Sequence, residues 1–265
     1  MRDFTLSIYF KLLKTALSKG FHFQTFANFI KNPQEKVIIL RHDVDKLPGN
    51  ALKMAEMENS LSIQSSYYFR IVPCSYNIEI IKKIKELGHE IGYHYEDMVT
   101  CKGDIDMAFF SFCRNLTELR KLSSIETICM HGSPLSKYDN REIWTKYNFK
   151  ELNIIGEPYL SLDYSKILYI TDTGRRLQSK KINIRDKDLK PGISLLSDKY
   201  IFKSTTDLIN IIENSIIPHQ MMINFHPQRW SENIVQWYKE LIYQNLKNQI
   251  KRILVAQQMK SRNHV

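Results

Sequence analysis

The sequence predicts an α/β protein, a parallel α/β barrel-type architecture carried by one domain over residues 1–265. Three observations lead there. Short runs rich in β-branched and aromatic residues alternate with segments whose apolar residues recur at helical spacing. The run Val37-Ile38-Ile39-Leu40 is apolar without interruption, the pattern of a strand covered on both faces in a parallel sheet. Residues suited to acid–base or metal chemistry also follow the last apolar residues of several different expected strands: Asp43 and Asp45, His94, His131, Asp172 and His226. In an α/β barrel such positions form one ring at the C-terminal face of the strands.

The elements follow in order. Residues 5–18 read as a helix, with Leu6, Tyr9, Phe10, Leu12, Leu13 and Leu17 at helical spacing and Gly20 as its stop. The aromatic-rich stretch 21–30 suits a short strand and helix at the bottom of the domain, so residues 1–35 form an N-terminal helical extension. After the strand at 37–40, Pro48-Gly49-Asn50 opens a helix over 50–60. A strand is expected at 65–69, and a helix at 77–87 with Ile78, Ile81 and Ile84 inside and Lys82, Lys83 and Lys85 outside. Gly88 stops that helix before a strand at 90–95. Further helices are expected at 104–123, 141–150 and 208–215, and strands at 125–130, 152–155, 167–172 and 221–225. A short element is expected at 199–202, and a C-terminal basic helix and tail over 231–265.

Composition bounds the function. Hydrophobic residues make up 43% and charged residues 25%, as in ordinary globular proteins. No apolar run approaches the ~20 residues of a membrane span. Lys11, Lys14 and Lys19 interrupt what would be the core of a signal peptide, so the expected address is the cytoplasm. Cys74, Cys101, Cys113 and Cys129 are scattered without C-x-x-C spacing, which argues against a zinc ribbon or a disulfide framework. The formal charge of +10 admits a polyanionic partner, but no zinc-finger, RNA-recognition or helix-turn-helix pattern supports nucleic acid. The sharpest imbalance is at the end, where Lys247, Lys251, Arg252, Lys260 and Arg262 occur without an acid. The reading there is a solvated basic helix, with weak membrane contact as the sharper alternative.

The clustered residues suit one chemistry. Side chains two apart on a strand point the same way, so Asp43 and Asp45 converge, and two adjacent carboxylates repel unless a cation or proton relieves them. Their bland alternative is capping of the following helix or turn. Asp and neutral imidazole are ligands for Zn²⁺ and its neighbours, and one Asp with two His leaves a position open for water. A second carboxylate can take the proton of that water, and a rim His can protonate the leaving group.

The runs Leu40-Arg41-His42-Asp43-Val44-Asp45, Gly88-His89-Glu90-Ile91-Gly92-Tyr93-His94 and Asn224-Phe225-His226 resemble the first, second and last signature motifs of the polysaccharide deacetylase family. The resemblance spans roughly residues 36–230. It implies a distorted, incomplete (β/α) barrel of mainly parallel strands and a metal-dependent enzyme removing N- or O-acetyl groups from sugars, expected in assembly of a surface glycan, with an acetylated amino sugar or glycan as partner. By position, it makes Asp43 the general base, Asp45 a metal ligand, His94 the first ligand of the second motif, and His226 the catalytic acid. Asp172 with Arg175 resembles the motif that orients the catalytic residues. The cofactor implied is a divalent metal, with Zn²⁺ foremost.

Two departures stand out. Val44 separates acids that the family usually has adjacent, leaving open whether Asp43 or Asp45 binds the metal. The family's second metal His falls at Met98, whose thioether is a poor ligand for such a cation. His131, at the next strand end, is the expected replacement and Glu96 the alternative. Arg41, Arg70, Tyr95, Glu96 and Trp230 are the expected substrate contacts. Two other readings compete: a glycan-binding protein of the same fold that has lost turnover, and a hydrolase of another amide or ester. His22 and His89 read as structural.

Overall fold

The computed structural model of the chain describes residues 2–133, 136–177, 200, 202–214 and 217–262, with residues 250–262 described by their backbone alone. Helix α1 (Leu6–Ser18) starts at Thr5, whose hydroxyl accepts the Ile8 amide, and it buries Ile8, Tyr9, Leu12 and Leu13. Strand β1 (His22–Gln24) and helix α2 (Phe26–Lys31) follow, then strand β2 (Val37–Val44). Every residue of β2 is buried. Val37 and Ile39 enter one core and Ile38 and Leu40 the other, which is why the strand shows no polar alternation.

Beyond β2 the chain winds helix against strand. In order come α3 (Pro48–Ser60), β3 (Ser66–Phe69), α4 (Ile78–Glu86), β4 (Glu90–Tyr95), α5 (Asp97–Thr100), α6 (Ile105–Arg120) and β5 (Ile128–Met130). The second half holds α7 (Pro158–Ser161), β6 (Leu168–Thr171), α8 (Thr205–Asn214), β7 (Gln220–Phe225), a 3₁₀ turn at Pro227–Arg229, and α9 (Ile234–Arg262).

The sheet order is β5-β4-β3-β2-β7-β6, and β1 joins at the start of β2. All of these pairings are parallel. The sheet curls into an open half-barrel whose ends are β5 and β6. Strand β2 is its axis: β7 pairs along it from Val37↔Gln220 to His42↔Phe225, and β3 pairs with its last half from Arg41↔Ser66 to Val44↔Phe69. Because the strands run parallel, their C-terminal ends lie on one side, and the loops that leave them share one rim.

Sequence periodicity misleads in the region after β5. In place of the helix expected at 141–150 and the strand at 152–155 stand two 3₁₀ turns, Asn140–Thr145 and Phe149–Leu152. Asp139 and Asn148 cap them separately by accepting the Arg141 and Lys150 amides, and Asn153 leaves the second turn at a left-handed φ of 57°. Among the described residues a single parallel bridge, Thr127↔Gly156, stands just past the expected strand. Of the element expected at 199–202, residues 199 and 201 lie outside the described residues. Helices α5 and α7 are too short to leave a periodic signal.

One glycine matters for the rim. Gly92 sits opposite Tyr68 in the β3–β4 register, and an added methyl would collide with the Tyr68 ring and crowd the Thr127 carbonyl. The Tyr68 side chain, fully buried, fills the space that Gly92 leaves beneath the rim.

Candidate metal centre

Asp45, His94 and His131 meet at the C-terminal rim. Asp45 follows the end of β2, His94 lies near the end of β4, and His131 directly follows β5. Their ligand atoms all lie within 4.8 Å of one another. Asp45 Oδ1 is 3.5 Å from His94 Nε2 and 3.5 Å from His131 Nε2. Gln228 Nε2 donates to the other oxygen, Oδ2, at 3.0 Å. Oδ1 itself is buried with no hydrogen-bond partner. A buried carboxylate oxygen left without a donor, facing two imidazole nitrogens, is what a cation site presents.

Both imidazoles are turned for that role. His94 Nδ1–H donates to the Cys129 carbonyl at 2.9 Å, which leaves Nε2 facing Asp45. His131 Nδ1 lies 3.2 Å from Glu96 Oε2, and Arg70 holds Glu96 with both Nη2 contacts, at 2.7 and 2.8 Å. A carboxylate on the far nitrogen of a ligating histidine fixes its tautomer and raises its basicity. Burial would raise the Glu96 carboxyl, but His131 and Arg70 pull it down to about 2, so it stands ionised behind His131. Arg70 also donates to the Asp45 carbonyl at 3.3 Å, tying the β2 rim to the β3 rim.

The intervening Val44 is fully buried, so strand alternation sends it to the core and brings Asp43 and Asp45 to the same side. Asp43 is held differently from Asp45. Arg41, two residues earlier and on the same face, donates from Nε at 3.1 Å and Nη2 at 2.9 Å, and Asn224 Nδ2 adds a third bond at 2.9 Å. Burial works to raise the Asp43 carboxyl, yet the Arg41 charge, with His94 and His226, holds it below the usual carboxylate range. Asp43 also lies 3.9 Å from His94 Nε2 and forms a second, fully buried grouping with His94 and Cys129. Its oxygens are already satisfied, whereas Asp45 Oδ1 is not. At Asp45, burial again raises the carboxyl, and His94, His131 and His226 bring it well below its usual value.

His226 follows β7 and is built into a second polar cluster. Its Nδ1–H donates to Asp172 Oδ1 at 2.5 Å, and its backbone amide donates to Asp172 Oδ2 at 3.0 Å. Arg229 Nη1 donates to Asp172 Oδ1 at 2.6 Å and to the Asp172 carbonyl at 2.7 Å, while Trp230 Nε1 donates to Oδ2 at 2.8 Å. Burial pushes the Asp172 carboxyl up, but Arg229 and His226 bring it down to about 2. Asp172 therefore stays charged and fixes His226 through Nδ1.

Several expected contacts take other positions. Trp230 is fully buried against Phe4, Tyr9 and Phe225, so it cannot stack on a sugar; it anchors Asp172 instead. Tyr95 is likewise fully buried, its hydroxyl accepting Trp144 Nε1 at 2.9 Å, because the alternation that turns His94 to the rim turns Tyr95 into the core. Arg41 is fully buried beneath Asp43, with Tyr159 and Tyr169 around its guanidinium, and does not reach the mouth. Glu96 stands behind His131 rather than in its place. Arg175 lies over the Phe4 and Trp237 rings and donates to the Trp237 carbonyl at 3.3 Å, while Arg229 makes the ion pair with Asp172. Met98 is buried in the core, away from any ligand role. Arg229 and Gln228 are the site residues that spacing missed, signalled only by proximity to His226, and Asn224 entered the sequence reading as part of the last motif without a role. His22 is exposed on β1, and His89 is held by backbone, with the Ser65 amide donating to Nδ1 and Nε2–H donating to the Ala55 carbonyl.

No protein-family model matches the chain, and no curated protein matches it. Two solved structures are similar in backbone course. A Streptococcus mutans CE4 esterase is 12% identical with a TM-score of 0.44, over 87% of this chain and 86% of that one. A family 4 carbohydrate esterase from Bacillus anthracis is 12% identical with a TM-score of 0.39, over 89% of this chain and 85% of that one. Both of these solved structures are carbohydrate esterases. At such likeness the roles of individual residues rest on this chain's own geometry.

Proposed function

We propose that the chain is a metal-dependent hydrolase that removes an acetyl group from an N- or O-acetylated sugar. The observation that carries this reading is the orphaned Oδ1 of Asp45 between His94 Nε2 and His131 Nε2, with the ionised Asp43 on the same face of β2. Asp45, His94 and His131 would hold a divalent cation, Zn²⁺ by the chemistry of the donor set, which supplies Lewis acidity toward the acyl carbonyl and makes water a nucleophile near neutral pH.

Asp43 takes the proton of the attacking water. Arg41 and Asn224 hold its carboxylate in one orientation, so it meets water without reorganising. Its low proton affinity makes it a weak base, offset by this fixed placement. His226 protonates the departing amine or alcohol through Nε2, since Asp172 occupies Nδ1. Glu96 and Arg70 keep His131 in register from behind. The products are acetate and the deacetylated sugar.

The test combines metal analysis with acetate release. Purified protein loaded with Zn²⁺ is expected to hold one equivalent, to lose it in His94→Ala, and to release acetate from chitooligosaccharides or O-acetylated xylan. Stoichiometric metal without acetate release from any acetylated sugar, but with turnover of another amide or ester, would redirect the substrate. Absence of bound metal, with sugar binding retained, would make the protein a glycan-binding relative without turnover.

A further inference from the structure

Helix α9 (Ile234–Arg262) presents two faces with different partners. The inward face is anchored to the rim. Trp237 Nε1 donates to the Asp3 carbonyl at 2.7 Å, Glu240 pairs with Lys46 at 3.0 Å, and Asn248 Nδ2 donates to the Gly174 carbonyl at 3.0 Å. Lys46 follows Asp45 after β2, and Gly174 follows Asp172 after β6, so the helix lies along loops that carry the candidate site.

The outward face is largely apolar, with Asn245 and Gln249 also exposed on it. Ile234, Val235, Tyr238, Ile242, Tyr243 and Leu246 are between 45% and 60% exposed. Ile234, Tyr238, Ile242 and Leu246 repeat at i, i+4, which places them in one stripe down the helix. Exposed Lys239 and Lys247 lie along one side of that stripe. The helix sequence also contains Lys251, Arg252, Lys260 and Arg262, and its single acid is Glu240, buried on the inward face against Lys46.

We propose that this face docks on an anionic lipid surface, with α9 lying in the plane of the interface. An apolar stripe edged by lysines, with no exposed acid on the helix, matches the physical requirements of such a helix. Charge complementarity selects this occupant over a second copy of the chain, because pairing two such faces would bring Lys239 and Lys247 against their own kind with no acid to meet them. Among the described residues no helix is long and apolar enough to cross a membrane, so the helix is suited to lie on the surface and not to span it.

The test is sedimentation of the full chain with vesicles of phosphatidylcholine alone or mixed equally with phosphatidylglycerol, at low and high salt. Each basic residue near an anionic leaflet raises partitioning by about fivefold. The expected result is therefore binding to the mixed vesicles at least about tenfold stronger than to phosphatidylcholine, weakened by salt. Ile242→Glu with Leu246→Glu, at exposed positions that leave the fold intact by circular dichroism, is expected to lower that binding at least about tenfold. Lys239→Glu with Lys247→Glu is expected to lower the preference for phosphatidylglycerol at least about tenfold. Failure to bind mixed vesicles, or binding that both pairs of substitutions leave unchanged, overturns the proposal. A concentration-dependent dimer dissolved by Ile242→Glu with Leu246→Glu, without vesicle binding, overturns it in favour of self-association.

Discussion

Replacing Arg41 with Met removes the cation beneath Asp43 while keeping most of the side-chain volume. Both members of the pair are buried, and Arg41 Nη2 stands 2.9 Å from Asp43 Oδ2. Breaking a buried ion pair from one side costs about 3–5 kcal/mol, because the remaining charge has neither partner nor water. Asn224 Nδ2 still donates to Asp43, and a hydrogen bond to a charged group is worth about 1.5–3 kcal/mol, so the loss should sit at the lower end, about 3 kcal/mol at pH 7.5.

The pH dependence distinguishes this cause from lost packing. With Arg41 present, the folded Asp43 carboxyl lies below its unfolded value of about 3.9, so its contribution is present above that pH and is lost as pH falls. Without Arg41, burial dominates and the folded carboxyl rises above the unfolded value. The deficit of the variant then grows as pH climbs from about 4 toward neutrality. Urea unfolding followed by circular dichroism is expected to show the loss shrinking by at least half between pH 7.5 and pH 4.5. Adding Asp43→Asn to Arg41→Met should restore much of the loss at pH 7.5. A loss below about 1 kcal/mol at pH 7.5, or one of equal size at both pH values, would refute the account of Arg41 as the counter-charge of Asp43.

The remaining predictions concern the rim. Asp172→Asn removes a carboxylate whose folded value of about 2 lies below its unfolded one, so its stabilisation is present above pH 4 and is lost as pH falls toward 2. At 1.36 kcal/mol per unit the variant should lose about 2 kcal/mol at pH 7, measured by urea unfolding, together with at least about a hundredfold of kcat. Glu96→Gln should weaken zinc binding about 10–100-fold by competition with a chromogenic chelator, with the fold unchanged. Saturating zinc, at about a hundred times its dissociation constant, should stabilise the protein by about 2.7 kcal/mol in thermal unfolding, and His131→Ala should remove most of that gain. Gly92→Ala forces a methyl into the Tyr68 ring and should cost about 1–3 kcal/mol in the same measurement.

Much of the architecture was legible in the chain because it rests on local patterns. The unbroken run at Val37-Ile38-Ile39-Leu40 announces a strand covered on both faces, and β2 is buried throughout. Strand β4 begins and ends at the residues that Gly88 and the alternation around His94 mark out. The rim positions of Asp45, His94 and His131 were also readable, because parallel strands deliver their last residues to one side. Periodicity failed where side chains compete with the backbone, as at Asp139 and Asn148, which break the expected helix into two capped turns.

What only the tertiary structure decided is which polar groups satisfy one another. Arg41 and Trp230 read equally well as substrate contacts until packing buries both, one beneath Asp43 and the other beside Asp172. Arg229 replaces Arg175 beside Asp172 because the turn after β7 folds it back, a closure between residues far apart in sequence. The chain by itself determines the strands, and hence which residues reach the rim. Each donor's choice of acceptor depends on distances across the sheet that no spacing along one strand encodes, so the free oxygen of Asp45 emerges only in three dimensions.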